Sequence, residues 1–170
     1  MDVSLRMLHA SKQPAWQRPL VAALQRFLRE SPAGPAFFRA VATPAAVTSI
    51  LKRCYGNPEA VTDELVAAIL GPGLEPGAAE VFLSFISYSD GPLAEALLAD
   101  PALANIPVSV LWGEADPWEK LAWGQSTFSV GTSPSIEEFV PLPGVGHCPQ
   151  DEAPDVVNPL ILDFVRRHSA

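Results

Sequence analysis

A chain of 170 residues, 48% of them apolar, is long enough to bury a sizeable core as one domain and too apolar to be disordered. Its formal charge of −8 argues against nucleic acid as a partner. No apolar run reaches membrane-spanning length, and two cysteines far apart, Cys54 and Cys148, define no disulfide framework.

The charge is unevenly spread. Residues 1–53 hold eight Lys/Arg against two Asp/Glu, and residues 54–170 hold three against seventeen. The basic third has no clustered run, so it reads as a solvated helix face rather than a phosphate or membrane contact. A basic, nearly acid-free start also hints at a plastid transit peptide. Asp2 and the sparse serine speak against that, and no targeting peptide is identified.

Residues 14–104 read as helical. Leu20, Leu24, Phe27 and Leu28 are spaced for one face of a helix over Pro19–Arg29. Thr43-Pro44 supplies a cap with proline at the first helical position, followed by Val47, Ile50, Leu51 and Cys54. Asn57-Pro58 repeats the device before a stripe of Val61, Leu65 and Ile69, and Gly71-Pro72-Gly73 is expected to stop that helix. Ala78–Tyr88 predicts a fourth helix with Val81, Phe82, Phe85 and Ile86, and Pro92–Leu98 a short fifth.

From Ile106 the pattern changes. Val108–Trp112 is an apolar, β-branched run of strand length, and Gly113 ends it. Asp116-Pro117 then favours a turn, because the residue before proline avoids the helical region. Asp116 is therefore expected just past the carboxyl end of a buried strand, where ligands and catalytic groups collect in open α/β sheets. Trp118–Phe128 predicts a helix and Glu137–Leu142 a second strand, a βαβ unit with a parallel pair. The stretch Leu142–Glu152 (Leu-Pro-Gly-Val-Gly-His-Cys-Pro-Gln-Asp-Glu) makes a tight loop that aims His147. An amphipathic helix from about Pro154 to His168 closes the chain, with Val157, Leu160, Ile161 and Phe164 toward the sheet. Asp151 and Glu152 precede its first turn, where negative charge is favoured. His9 and His168 carry no such placement.

Asp116 and His147 thus emerge on neighbouring loops at one edge of the sheet. An aspartate bonded to one imidazole nitrogen fixes the tautomer and stabilises the imidazolium, which is the back half of a nucleophilic triad. Taken singly, Asp116 is a turn residue and His147 a loop histidine bonded to a neighbouring backbone group. Cys148 adjoins His147, but neighbours on a loop point apart, and reactivity would need a stabilised thiolate.

The segments Trp-Gly-Glu-Ala-Asp-Pro-Trp (112–118) and Gly-His-Cys-Pro-Gln-Asp-Glu-Ala-Pro-Asp-Val-Val-Asn-Pro-Leu (146–160) resemble the C-terminal part of an α/β-hydrolase. More narrowly, with Val61–Ala78 and Ser4–His9, they resemble the plant and algal plastid branch of pheophytinase-like hydrolases. The resemblance implies an α/β fold class: a partial α/β-hydrolase, a helical cap followed by a βαβα unit. Residues 1–13 would then lead in from a missing sheet, 14–104 form the cap and 105–170 the end of the core. It implies hydrolysis of a small apolar ester or related carbonyl substrate, with Asp116 orienting His147 as general base. It implies no cofactor and no metal, and a chloroplast location. Phe37, Phe38, Phe82 and Phe85 would line the pocket under the cap.

Members of that superfamily place Ser, Asp and His in this order, the serine in Gly-x-Ser-x-Gly on a strained strand-to-helix turn. No such motif occurs in these 170 residues; Gly124-Gln-Ser126-Thr-Phe128 has the first glycine and not the second. The chain is therefore expected to be a C-terminal fragment, inactive without an upstream nucleophile, with an exposed sheet edge open to association. Two alternatives follow: a non-catalytic, degenerate hydrolase that binds an apolar ligand or a partner chain, and a truncated gene model in which Met1 is an internal or misassigned start.

Overall fold

The computed structural model describes His9, residues 13–87 and residues 91–169. They gather into two compact units, one from the described residues of 1–50 and 61–91, the other from those of 51–60 and 92–170.

The first unit is helical. It holds α1 (Arg18–Glu30), α2 (Ala33–Val41), most of α3 (Pro44–Cys54), α4 (Asp63–Gly73) and α5 (Ala78–Ile86). Helix α2 is not among the helices expected from the sequence, and it runs through Gly34 and Pro35. Pro32 stands at the cap position, where the missing N–H costs nothing. Gly34 is the contact point: a Cβ there would lie 1.9 Å from the Leu28 carbonyl oxygen and 2.7 Å from Leu83 Cδ1, so only glycine lets α1, α2 and α5 close up. Phe82 on α5 meets Phe38 at 5.2 Å and Phe37 at 6.4 Å between ring centroids.

Two expectations are corrected here. The stripe Leu20, Leu24 and Phe27 is exposed. Of the expected face only Leu28 is partly covered, together with Val21 and Gln25, and Gln25 donates to the Ile86 carbonyl at 3.3 Å. Helix α4 starts later than expected. Asn57 caps only a 3-10 turn over Pro58–Ala60, through a bond from the Glu59 amide, and Thr62 takes the Leu65 amide to cap the helix proper. That shift buries Val66 and Leu70 and exposes Ile69. Gly71-Pro72-Gly73 ends the helix as expected, with Pro72 inside the last turn, which the Leu74 amide closes onto the Gly71 carbonyl. Tyr88, the expected end of α5, lies outside the described residues.

The second unit holds the sheet. After α6 (Ala94–Leu98) come β1 (Val108–Gly113), α7 (Leu121–Phe128), β2 (Ile136–Leu142), α8 (Pro149–Glu152) and α9 (Pro154–His168). The sheet has two parallel strands among the described residues, in register from Ser109 opposite Glu138 to Gly113 opposite Leu142. Buried Trp112 is its anchor, with Trp123 at 5.5 Å and Phe128 and Phe139 each at 6.0 Å between centroids. Gly124 lets α7 lie on that indole, since a Cβ there would fall 2.7 Å from the ring. In α9, Val157 is 2% exposed, whereas Ile161, expected inside, is 45% exposed. At the far end of α9, Arg167 bonds Glu137, Glu138 and Asp163. No single described helix is long and apolar enough to cross a membrane; α4 and α5 pass that test only as a pair broken by 94°.

Candidate active site

Two glycines bring the loops after β1 and β2 together. A Cβ on Gly113 would sit 1.9 Å from the Gly146 carbonyl oxygen, and one on Gly146 would sit 2.2 Å from the Cys54 carbonyl oxygen. Backbone bonds carry the contact past the strands: Glu114 N–H to the Leu142 carbonyl at 3.0 Å and Ala115 N–H to that of Val145 at 2.9 Å. Asp116 and His147 therefore leave adjacent strands side by side.

The Asp116 carboxylate is divided between two tasks. Its Oδ1 accepts the main-chain N–H groups of Trp118 at 2.8 Å and Glu119 at 3.0 Å. This local turn displaces the start of α7 from Trp118 to Leu121. With Oδ1 held, Oδ2 is aimed at His147 Nδ1, 2.7 Å away. The two side chains are only 8% and 10% exposed, so the pair is shielded from water. A carboxylate accepts and cannot donate, so Nδ1 bears the hydrogen in the neutral imidazole and Nε2 bears the lone pair. Trp118 packs edgewise on the imidazole, 4.8 Å between centroids at 65°.

The other wall of the His147 loop comes from residues 54–56. His147 N–H donates to the Cys54 carbonyl at 2.8 Å. Glu152 accepts three main-chain N–H groups, from Gly56 at 2.7 Å, Gly146 at 2.8 Å and Cys148 at 3.0 Å. The Tyr55 hydroxyl donates to Asp151. Burial, and then the bond to that carboxylate, push the Tyr55 phenol well above its ordinary range.

Asp116 and His147 are legible in the sequence as site residues; Tyr55, Trp118 and Glu152 are not. A capping box puts the acidic residue third in the helix, which in α8 is Asp151. The carboxylate that reaches back is one residue later, so that signal points to its neighbour. The four phenylalanines proposed for a pocket belong to the helical unit. Phe37, Phe38 and Phe82 lie together there, and Phe85 is exposed. Ser126 lies on α7 and donates to its own helix, at the Trp123 carbonyl. Among the described residues, no group of three or more His, Cys, Asp and Glu is arranged to hold a metal ion.

No protein-family model matches the chain, and no solved structure matches it significantly. Pheophytinase of the chloroplast from Arabidopsis thaliana is 28% identical to it over 127 residues, 74% of this chain and 26% of that protein. The chain thus spans about a quarter of the length of that relative. The small parallel sheet, the surrounding helices and this distant likeness to pheophytinase support the α/β-hydrolase superfamily, and no finer family.

Proposed function

We propose that Asp116 and His147 are the orienting and proton-transferring half of a hydrolytic site. The observation that carries this is the 2.7 Å contact between Oδ2 and Nδ1 in a shielded pair whose other oxygen is already held. Asp116 keeps the hydrogen on Nδ1. Nε2 then takes the proton of an attacking hydroxyl, and Asp116 stabilises the resulting imidazolium. The same proton passes from Nε2 to the leaving alcohol when the tetrahedral intermediate collapses. The nucleophile is a serine outside the 170 residues. The substrate is an ester or related carbonyl compound with an apolar body. On this reading residues 14–104 correspond to a hydrolase cap and residues 105–170 to the end of the core. The relative's printed name places it in the chloroplast, and we extend that location to this chain.

The test is a chimera in which the matched 127 residues replace their counterparts in Arabidopsis pheophytinase. Hydrolysis of a short p-nitrophenyl ester that disappears in His147→Ala is the expected result. A folded chimera that is inactive, or whose activity ignores His147, sinks the proposal.

A second reading has its own support: Gly-x-Ser-x-Gly does not occur in these residues, and Leu20, Leu24 and Phe27 stand exposed on one helix. The chain would then bind an apolar ligand or partner without turnover. Saturable binding of a fluorescent fatty acid, lost when the three are made polar, would favour it.

A further inference from the structure

We propose that Glu152 is the positioning residue for His147, acting through the main chain on both sides of it; this rests on the role given to His147 above. Three consecutive amides are taken up in one cradle. Gly146 N–H goes to Glu152 Oε2 at 2.8 Å, His147 N–H to the Cys54 carbonyl at 2.8 Å, and Cys148 N–H to Glu152 Oε1 at 3.0 Å. The fourth donor, Gly56 N–H, reaches Oε2 at 2.7 Å and comes from 96 residues away in the chain.

A helix cap would satisfy the donors of its own helix. Here only the Cys148 amide belongs to the start of α8; the other two bonds of Glu152 leave it. The cradle is also built to fit. A Cβ on Gly146 would lie 2.4 Å from the Gly56 nitrogen and 2.8 Å from Glu152 Oε1, and a Cβ on Gly56 would lie 2.1 Å from the Gly144 carbonyl oxygen. Both glycines leave room for backbone and a carboxylate and nothing else. Charge-assisted bonds to backbone N–H are about twice as strong as neutral ones, and three on one carboxylate fix its position. Asp116 and Trp118 hold the ring of His147, while Glu152 and Cys54 hold the backbone from which the ring projects. A carboxylate serves here because each oxygen must accept; an amide would turn an N–H toward one of the donors.

The pair of rings supplies the readout. An imidazolium accepts an electron from an excited indole, so protonated His147 quenches Trp118 when the two stay in contact. The full chain is titrated at sub-micromolar concentration, and the signal is the difference between wild type and Trp118→Phe. In Glu152→Gln the quenching amplitude is expected to fall to less than half. In Arg167→Gln, which breaks three ion pairs elsewhere in the same unit, it is expected to stay unchanged. An unchanged amplitude in Glu152→Gln, with or without a moved midpoint, overturns the proposal, because the carboxylate would then act as a charge and not as a support. Asp116→Asn separates the two levels. If it leaves the wild-type midpoint where it was, the Asp116–His147 reading fails whatever Glu152 does. If it lowers the midpoint and Glu152→Gln changes nothing, only the present inference fails. Should Glu152→Gln not fold, hydrogen exchange of the wild-type chain decides. Peptides 54–57 and 144–148 are expected to exchange at least ~10-fold more slowly than the loop 129–133, and equal rates would overturn the proposal.

Discussion

Asp116 presents a different oxygen to each of its neighbours: Oδ2 faces His147 Nδ1 at 2.7 Å, while Oδ1 is held by the amides of Trp118 and Glu119. Asp116→Asn separates these functions. Its amide oxygen can still accept the two main-chain bonds, but its NH2 would face Nδ1 and force the hydrogen onto Nε2, the wrong tautomer for a base. The chimera carrying Asp116→Asn is expected to lose about 10³–10⁴ in kcat with KM little changed. The folded chain loses one charge-assisted bond, about 1–3 kcal/mol by denaturant titration.

The 170-residue chain itself should not react with a fluorophosphonate probe. Ser126 donates to the Trp123 carbonyl at 2.9 Å, as helix hydroxyls do, and no base is placed against it by that bond. Stoichiometric labelling that vanishes in Ser126→Ala, read by intact mass, would contradict this.

Tyr55 gives the second unit an alkaline signature. Its phenol is raised by burial and by the bond to Asp151. The folded chain therefore keeps this proton at a pH where the unfolded chain has lost it. Fewer protons on the unfolded state make the slope of stability against pH negative. The contribution is fully present below about pH 10, the ordinary tyrosine value, and is lost above it. Melts of wild type and Tyr55→Phe from pH 8 to 11 are expected to converge as pH rises, wild type falling the faster. Parallel curves would remove the Tyr55–Asp151 bond from the account.

Two glycine substitutions should have opposite signs. Gly146→Ala forces a Cβ against the Cys54 carbonyl and the Gly56 nitrogen, both main-chain atoms that cannot swing away. It is expected to cost more than about 2 kcal/mol, in the range of severe overpacking. At Gly71, inside α4, a Cβ meets nothing within 4 Å. Gly71→Ala is expected to stabilise by about 0.5–1 kcal/mol through helix propensity. Urea titrations of both variants check the pair.

The chain should self-associate as concentration rises. Among the described residues β1 pairs on one side only, with β2, and an unpaired strand edge is a template for association. In the helical unit, Leu20, Leu24 and Phe27 stand exposed along α1. Light scattering on a sizing column, from low to high micromolar loading, is expected to show mass rising above 18.1 kDa. A constant monomer with a cooperative melt would show that the chain covers these surfaces itself.

Much of this was written in local sequence. The switch from helical spacing to an apolar strand run located β1, and Gly113 with Asp116-Pro117 put the aspartate beyond its end. Gly146-His147 before Pro149 put the histidine on a tight loop after β2, and α9 was legible to its ends, Pro154 and His168. These follow from backbone rules acting over a few residues. What tertiary structure decided was which face of each helix is covered and which distant groups meet. Periodicity marked Leu20, Leu24, Phe27 and Leu28 as a face, yet of these only Leu28 lies at the contact, where closeness at Gly34 fixes how α1 docks, and Gln25 reaches α5. Glu152 looked like a helix-end charge. Its bond to Gly56 joins residues 96 apart, and only packing between segments that far apart can turn a capping carboxylate into the support of a histidine.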